Sequence, residues 1–235
     1  MDIFYEPDKT YFDLLNDKNN FLFVGEAGSG KSEIVLNTAV WLAKNKDKEV
    51  HVYDMDQSKP LFRSRDMAES FDKKGVKIHF QEQYLDAPSV VGGVQASLMN
   101  DEYTLLDIGG NESAARVAGV FSHILKEDNA APVYIVNPYR PWTRSIETID
   151  GTMSHILMSI RLKKIYILAN PNLGYRTTSA EFIDGIERID ELLEEFTVVN
   201  SACVRSDIYD ELEGKTNKSL FPLDELYLTY EWVDK

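Results

Sequence analysis

The sequence predicts an α/β fold, doubly wound around a mostly parallel central sheet with helices on both faces. Three observations lead to this prediction. Apolar runs typical of buried strands alternate with amphipathic segments of helical period, no repeat or low-complexity linker interrupts them, and the first strong strand enters a glycine-rich loop. Strands that alternate with helices are joined by crossovers that leave the strands parallel. We therefore expect one domain over 1–235, with a lead-in over 1–20 and a C-terminal extension over 202–235.

The composition limits the classes of function. The chain has 235 residues, of which 43% are hydrophobic, and this is enough for one sizeable core. Its net charge of -14 opposes general binding to nucleic acid or to an anionic membrane. A single cysteine, Cys203, permits neither a disulfide framework nor a Cys-based metal site within one chain. Because the sequence has no run of about 18 apolar residues and no secretory signal, we expect a cytoplasmic protein without a membrane span.

The strongest motif follows the first strand, which is predicted over 21–24. The segment from Gly25 to Ser32 matches the phosphate-loop pattern G-x-x-x-x-G-K-S. Its glycines permit the curled backbone that points successive N–H groups at one anion. Lys31 is expected to reach the outer phosphates and Ser32 to hold Mg²⁺, while the dipole of a helix over 31–46 favours the same anion. The predicted nucleotide-binding residues of the loop are Gly25, Glu26, Ala27, Gly28, Ser29, Gly30, Lys31 and Ser32.

The remaining elements follow in alternation. The helix over 31–46 keeps apolar residues at helical spacing and ends among lysines, as the helix dipole prefers. An amphipathic helix over 179–195 is expected to be capped at Thr178 or Ser179. Further strands are predicted over 49–54, 76–80, 103–108, 133–136, 164–169 and 197–200, and further helices from about residue 62, then over 94–99, 111–126 and 142–160. Beyond residue 202, turns, short helices and aromatic residues mix without a period that assigns an element.

Two acidic groups follow predicted strands. In an open parallel sheet, ligands bind beyond the carboxyl ends of the strands, so Asp54 and Asp56 are placed to position Mg²⁺ or the attacking water. An ordinary Asp-rich turn has the same letters, but the neighbouring loop favours function. Asp107, in the run Asp-Ile-Gly-Gly, is expected to hold Mg²⁺, and Gly110 to bring a backbone N–H to the γ-phosphate. The predicted catalytic residues are Lys31, Asp54 and Asp56, and the predicted metal ligands are Ser32, Asp54 and Asp107.

The order of these motifs resembles that of the MinD/ParA/CobQ-type nucleotide-binding domains of the SIMIBI class, over residues 21–202. The resemblance rests on the loop, on the acidic residues that begin at Asp54 and Asp107, and on the strand that ends at Asn170. It implies a P-loop fold that binds ATP and Mg²⁺, with a first switch at Asp54, a Walker B aspartate at Asp107 and a second-switch glycine at Gly110. It also implies that Asn170 presents its amide to the purine edge.

One position departs from this resemblance. Many MinD/ParA-like proteins carry a lysine after the first glycine of the loop, which reaches the nucleotide of the partner subunit. In this chain the position is Glu26. A carboxylate cannot stabilise a transferring phosphoryl group as a lysine does. Five basic residues are candidates to replace this lysine, and the sequence does not choose among them: Lys59, Arg63, Arg65, Arg140 and Arg144.

The motifs and the resemblance favour a switch that binds Mg·ATP, hydrolyses it slowly and acts on a protein partner. A nucleotide-dependent homodimer is a further expectation, and nucleic acid is not an expected partner. ATP is preferred to GTP because Asn170 is followed by Pro171 and Asn172, which do not form the guanine motif N-K-x-D. Two alternatives stay open. One is a small-molecule kinase or ATP-dependent ligase, in which Arg140 and Arg144 clamp an anionic acceptor. The other is an ATP-binding protein with little or no turnover.

Overall fold

The computed structural model describes residues 4–5, 8–55, 65–80, 92–110 and 112–228. Its strands are β1 (Phe4–Tyr5), β2 (Asn20–Val24), β3 (Val50–Asp54), β4 (Val76–His79), β5 (Tyr103–Asp107), β6 (Ala130–Val136), β7 (Lys164–Ala169), β8 (Ser201–Arg205) and β9 (Ser219–Leu223). Its helices are α1 (Tyr11–Asp17), α2 (Lys31–Asn45), α3 (Arg65–Asp72), α4 (Val94–Met99), α5 (Glu112–Ala118), α6 (Ser122–Leu125), α7 (Ile146–Ile160) and α8 (Ser179–Leu193). Short 3₁₀ turns lie at Gly119–Phe121, Pro141–Thr143, Ser206–Ile208 and Asp210–Leu212.

The strands of the described residues join one parallel sheet. Eight of them follow the order β4-β3-β5-β2-β6-β7-β8-β9, and β1 pairs with the start of β7. The chain order reverses at β2, which has β5 on one side and β6 on the other. Every strand pair is parallel. This sheet, covered by helices on both faces, confirms the predicted doubly wound α/β fold.

The central strand β2 is buried on both faces, which explains why its sequence is an unbroken apolar run. Phe21 and Phe23 pack in one core with residues of α1, α2 and α3. Leu22 and Val24 pack in a second core with residues of α4 to α8. Because alternate side chains of a strand point to opposite faces, this one strand joins both cores. It therefore holds the loop that follows it at the middle of the sheet.

Two predicted helices differ from the observed ones. The helix predicted over 111–126 is wrong as one element, because α5 is followed by a 3₁₀ turn and then by α6. A Cβ added at Gly119 would lie 2.6 Å from the carbonyl oxygen of Ser159, so the chain turns here in close contact with α7. The helix predicted over 142–160 is wrong at its start, where a 3₁₀ turn that begins at Pro141 precedes α7.

The strand predicted over 197–200 is also wrong. Its β-branched residues lie in an irregular connection, where Val198 is 61% exposed, and the strand that joins the sheet is β8. β8 pairs with β7 through Ala202, and β9 continues the sheet beyond it. The C-terminal extension, which the sequence left unassigned, therefore contributes strands to the sheet. Pro222 is accepted in β9 because this strand is an edge of the described sheet.

A stack of rings joins β3 to β4. The ring centroids of Tyr53 and His79 lie 4.4 Å apart, and those of His51 and His79 lie 5.1 Å apart. His51 Nδ1 and His79 Nε2 are 2.9 Å apart, so one of these nitrogens donates to the other. Burial lowers the pKa of His79, and the neighbouring His51 and Lys77 lower it further, whereas Glu102 opposes the shift. The folded state therefore favours a neutral His79.

This pKa shift predicts a loss of stability in mild acid. The folded state holds the pKa of His79 below its unfolded value of about 6.5. The unfolded chain therefore binds the proton first, and stability falls as the pH drops through that value toward the folded pKa. Thermal unfolding followed by circular dichroism should show a lower midpoint at about pH 5.5 than at about pH 7.5.

His79→Phe keeps a ring in the stack and removes the proton site, so its midpoint should fall less over the same pH range. His123→Phe, at an exposed position of α6, is the matched control and should fall as the wild type does. An equal fall in all three proteins contradicts the prediction.

Candidate functional site

The predicted acidic residues converge at the carboxyl edge of the sheet. Asp107 ends β5 opposite Phe23 of β2, so it lies beside the strand that enters the loop. Asp54 ends β3 as the register partner of Asp107, and the N–H of Met55 donates to the carbonyl oxygen of Asp107 at 2.9 Å. Asp54 is 6% exposed and Asp107 is fully buried. Buried carboxylates in proteins pair with cations or coordinate metals.

Lys31 begins α2 and folds its side chain back across the loop. Its Nζ donates to the carbonyl oxygens of Gly25 and Glu26, each at 2.9 Å, and the residue is 2% exposed. Gly30 has a φ of 93°, which lets the chain turn from the loop into the helix. Its carbonyl oxygen accepts the N–H of Ile34 at 3.1 Å. The ammonium thus lies at the loop, the region in which the sequence predicts the outer phosphates.

Two side chains from neighbouring connections fasten the middle of the loop. Asn170, directly after β7, donates from Nδ2 to the carbonyl oxygen of Ser29 at 2.7 Å. Arg140, in the connection after β6, donates from Nε to the carbonyl oxygen of Gly28 at 2.9 Å. Neither bond could be predicted from the sequence, because both depend on the order in which the strands lie in the sheet. The contact of Asn170 with a purine stays a prediction.

The polar groups of the loop fall into two sets, those that are hydrogen-bonded to the protein and those that are not. Its carbonyl oxygens accept the hydrogen bonds given above, whereas the N–H groups of Gly28, Gly30 and Ser32 donate to no atom of the described residues. The hydroxyl oxygens of Ser29 and Ser32 are buried and have no hydrogen-bond partner in the same part of the chain. Since buried polar groups are nearly always satisfied, the loop is suited to a polar ligand. The N–H groups fit phosphate oxygens, and the Ser32 hydroxyl oxygen fits a hard cation such as Mg²⁺.

Gly110, the predicted second-switch glycine, lies directly against the loop. A Cβ added to it would be 2.9 Å from the nitrogen of Ala27, 3.0 Å from the carbonyl oxygen of Gly25 and 3.1 Å from the carbonyl carbon of Glu26. Real Cβ atoms essentially never come within 3.0 Å of other heavy atoms, so this position accepts glycine and no larger residue without a shift. The end of β5 and the loop are therefore in backbone contact.

The C-terminal segment holds the first turn of α2. The carboxylate of Glu33 accepts the N–H groups of Tyr227 and Leu228 at 2.6 and 2.9 Å. Asn37, one turn later, donates from Nδ2 to the carbonyl oxygen of Glu225 at 2.9 Å. Burial raises the pKa of Glu33, and the two backbone hydrogen bonds oppose the rise. This attachment was not predicted from the sequence, because its one local signal is an acidic residue in the first turn of a helix.

Glu26 occupies the position where the resemblance expects a lysine. Burial and, after it, the Glu26 carboxylate raise the pKa of Tyr134 in β6. The carboxylate thus places negative charge beside the loop. A phosphate ligand at the loop would be repelled by it unless a nearby cation offset the charge.

The structure brings one of the five substitute cations to the loop. That residue is Arg140, whereas Arg144 is exposed and makes no hydrogen bond or ion pair within the described ranges. The predicted residues that lie outside the described part of the chain are Asp56, Lys59, Arg63 and, in its side chain, Arg65.

Comparison with known proteins gave matches among solved structures. No protein-family model and no curated protein matches the sequence. A nucleotide-binding protein from Archaeoglobus fulgidus, solved in complex with ADP, has 16% identity and a TM-score of 0.51, with 93% of this chain and 96% of that chain covered. The signal recognition particle receptor FtsY from Elizabethkingia anophelis has 15% identity and a TM-score of 0.51. The match covers 81% of this chain and 62% of FtsY, so the chain spans less than two thirds of that receptor.

These likenesses show the fold. The chain shares the fold of these two structures, which confirms the doubly wound α/β fold predicted from its sequence. At these identities the likeness ends at the fold and assigns neither a substrate nor a partner. Among the described residues, no helix combines the length and the apolar character that crossing a bilayer requires.

Gly110→Ala tests the contact between β5 and the loop. The added methyl group forces the loop backbone to shift, because it meets three loop atoms at 2.9 to 3.1 Å. Affinity for Mg·ATP, measured by isothermal titration calorimetry, should fall by about tenfold or more, since small misplacements of binding groups are costly. Gly151→Ala is the matched control, because a Cβ there meets nothing within 4 Å. Equal affinities of the two variants would show that the contact is unimportant.

Proposed function

We propose that this protein is a Mg·ATP-binding P-loop ATPase that acts as a nucleotide-dependent switch on a protein partner. The observation that carries the proposal is the loop itself. Four of its carbonyl oxygens accept hydrogen bonds from side chains of the protein, whereas the N–H groups of Gly28, Gly30 and Ser32 and two serine hydroxyls have no partner among the described residues. Two buried aspartates lie at the same edge of the sheet, where a cation bound to a triphosphate would lie.

Each predicted residue has a role in this proposal. The N–H groups of the loop and the ammonium of Lys31 bind the phosphates. Ser32, Asp107 and Asp54 would hold Mg²⁺, which when bound neutralises charge on the outer phosphates. Asp54 or Asp56 orients the attacking water. Because catalysis of phosphoryl transfer consists almost entirely of positioning and charge stabilisation, this small set of groups is sufficient.

ATP is the proposed nucleotide. The residues after β7 do not form the guanine motif, since Pro171 and Asn172 follow Asn170. With one N–H of its amide on Ser29, Asn170 keeps a second N–H and its Oδ1, and we assign these groups to the N6 and N7 edge of adenine. The Archaeoglobus protein of the same fold was solved with ADP, which supports an adenine nucleotide.

The switch is proposed to act through the backbone contact between β5 and the loop. The N–H of Gly110 meets the γ-phosphate when ATP is bound and loses this partner after hydrolysis, so the segment from Asp107 to Gly110 has two arrangements. Asp54, the register partner of Asp107, transmits the same change to the end of β3. A protein partner, or a second copy of the chain, would bind one of the two arrangements more tightly.

Lys31→Ala and Ser32→Ala test the phosphate and cation sites separately. Isothermal titration calorimetry with ATP should show about tenfold weaker binding or worse for Lys31→Ala, because a charge-assisted contact is lost. The wild type should bind ATP more tightly with Mg²⁺ than with EDTA, and Ser32→Ala should reduce this difference, because one of the three proposed Mg²⁺ ligands is lost. Lys44→Ala, at an exposed position of the same helix, is the control and should match the wild type.

The same titrations can also contradict the proposal. Folded wild type that binds no Mg·ATP, or Lys31→Ala that binds it equally well, would contradict it. Tighter binding of GTP than of ATP would overturn the assignment of the base. Phosphate release without an added acceptor supports an ATPase, and release only with a small-molecule acceptor supports the kinase alternative.

Hydrogen exchange tests the proposed switch. Peptides that contain residues 107–110 should exchange more slowly with Mg²⁺ and a non-hydrolysable ATP analogue than with ADP, because Gly110 then has a γ-phosphate partner. Peptides from α8 serve as an internal control and should exchange equally in both states. Equal exchange of residues 107–110 in both nucleotides would contradict the switch and leave nucleotide binding untouched.

A further inference from the structure

Arg140 makes a specific attachment to the phosphate loop. Besides the bond from Nε to the carbonyl oxygen of Gly28, its side chain lies close to this glycine, with Nε 3.6 Å and Cδ 3.8 Å from the place of a Cβ. A guanidinium carries five N–H donors, so four remain on Nη1 and Nη2. Within the described residues, these four donate to no atom. The charged end of the side chain is therefore at the loop and available to a ligand.

The backbone that carries Arg140 is itself held in place. The hydroxyl of Thr143 donates to the carbonyl oxygens of Asn137 and Arg140, each at 2.8 Å. Asn137 accepts the N–H of Tyr139 at 3.1 Å and donates from Nδ2 to the carbonyl oxygen of Asn172 at 2.8 Å. This network joins the connections after β6 and β7. Arg140 thus reaches the loop from a fixed support, which lowers the entropy cost of each contact that it makes.

The charges around the loop call for a cation at this place. Glu26 puts a carboxylate where the related class has a lysine, and the buried Asp54 and Asp107 add carboxylates at the same edge of the sheet. Lys31 is the lysine of the loop motif itself, so it does not replace the lysine that is missing at position 26. Among the substitute cations with described side chains, Arg140 contacts the loop and Arg144 does not.

We propose that Arg140 supplies, from the same chain, the positive charge that the missing lysine would bring from a second subunit. Held by Gly28, its guanidinium donates to the phosphate chain of the bound nucleotide and offsets Glu26. Arginine suits this task because its planar fork binds phosphate oxygens in pairs. The inference rests on the proposed function and adds a residue to it. It also means that turnover does not need a second copy of the chain.

Two substitutions separate charge from anchoring. In Arg140→Gln, the amide nitrogen stands where Nε was, so the bond to Gly28 is kept and the charge is lost. In Arg140→Lys, the charge is kept, but a carbon takes the place of Nε and an ammonium replaces the planar fork. Arg144→Ala removes a neighbouring exposed arginine and serves as the control for net charge.

The measurements are the Kd for Mg·ATP and the rate of phosphate release at several protein concentrations. For Arg140→Gln we expect a Kd raised about threefold to tenfold and a rate lowered by about tenfold or more, because arginines supplied to phosphoryl transfer matter most in the transition state. Arg140→Lys should keep part of the rate, and Arg144→Ala should stay within about twofold of the wild type. The rate per molecule of wild type should not rise with protein concentration.

Different failures have different meanings. If the wild type binds no nucleotide, the proposed function is contradicted, whatever the Arg140 variants show. Wild type that binds Mg·ATP, together with Arg140→Gln of equal Kd and equal rate, overturns the role of Arg140 alone. A rate per molecule that increases with protein concentration would show that turnover needs a second copy of the chain, and would contradict the proposal that Arg140 supplies the charge from the same chain. Circular dichroism of each variant confirms that a changed value does not come from unfolding.

Discussion

The site depends on one constraint, which is that the carbonyl oxygens of the loop are bonded to the protein. Lys31, Arg140 and Asn170 come from three different elements, and each of them donates to the loop backbone. A peptide group that turns its oxygen toward one side turns its N–H toward the other. The bond from Asn170 to the Ser29 carbonyl therefore fixes the direction of the Gly30 N–H, which belongs to the same peptide group and donates to no atom of the described residues. Binding then pays little to organise the loop, which is the advantage of a preorganised electrostatic site.

The sheet makes these three bonds possible. β2 carries the loop at its end, β6 lies beside it, and β7 lies beside β6, so their connections emerge as neighbours at one edge. β5, on the other side of β2, brings Asp107 and Gly110 to the loop. The four strands are packed between two cores, which hold the candidate site in a rigid part of the molecule. Ligands of open parallel sheets bind at such a reversal of strand order because two sets of connections diverge there.

The fold and the outline of the site were readable from the sequence because both are local patterns. The loop motif, the acidic strand ends and the alternation of elements each occupy a few adjacent residues. What escaped prediction depends on distant pairs. Arg140 and Gly28 are 112 positions apart, and Glu33 and Tyr227 are 194 apart, so no periodicity reports their contact. The misplaced last strand has the same origin: β8 owes its place to pairing with β7 at Ala202, while the β-branched residues before it suggested a strand by propensity alone.

The attachment at Glu33 has a consequence for the order in which the molecule is completed. The first turn of α2 directly follows the phosphate loop, yet the groups that satisfy the Glu33 carboxylate belong to Tyr227 and Leu228. During synthesis, a nascent chain already contains the whole loop long before these two residues exist. Until they emerge, the Glu33 carboxylate stays solvated and the first turn of α2 lacks these two hydrogen bonds. The first turn of α2 can therefore take its final hydrogen bonds only after residue 228 has left the ribosome.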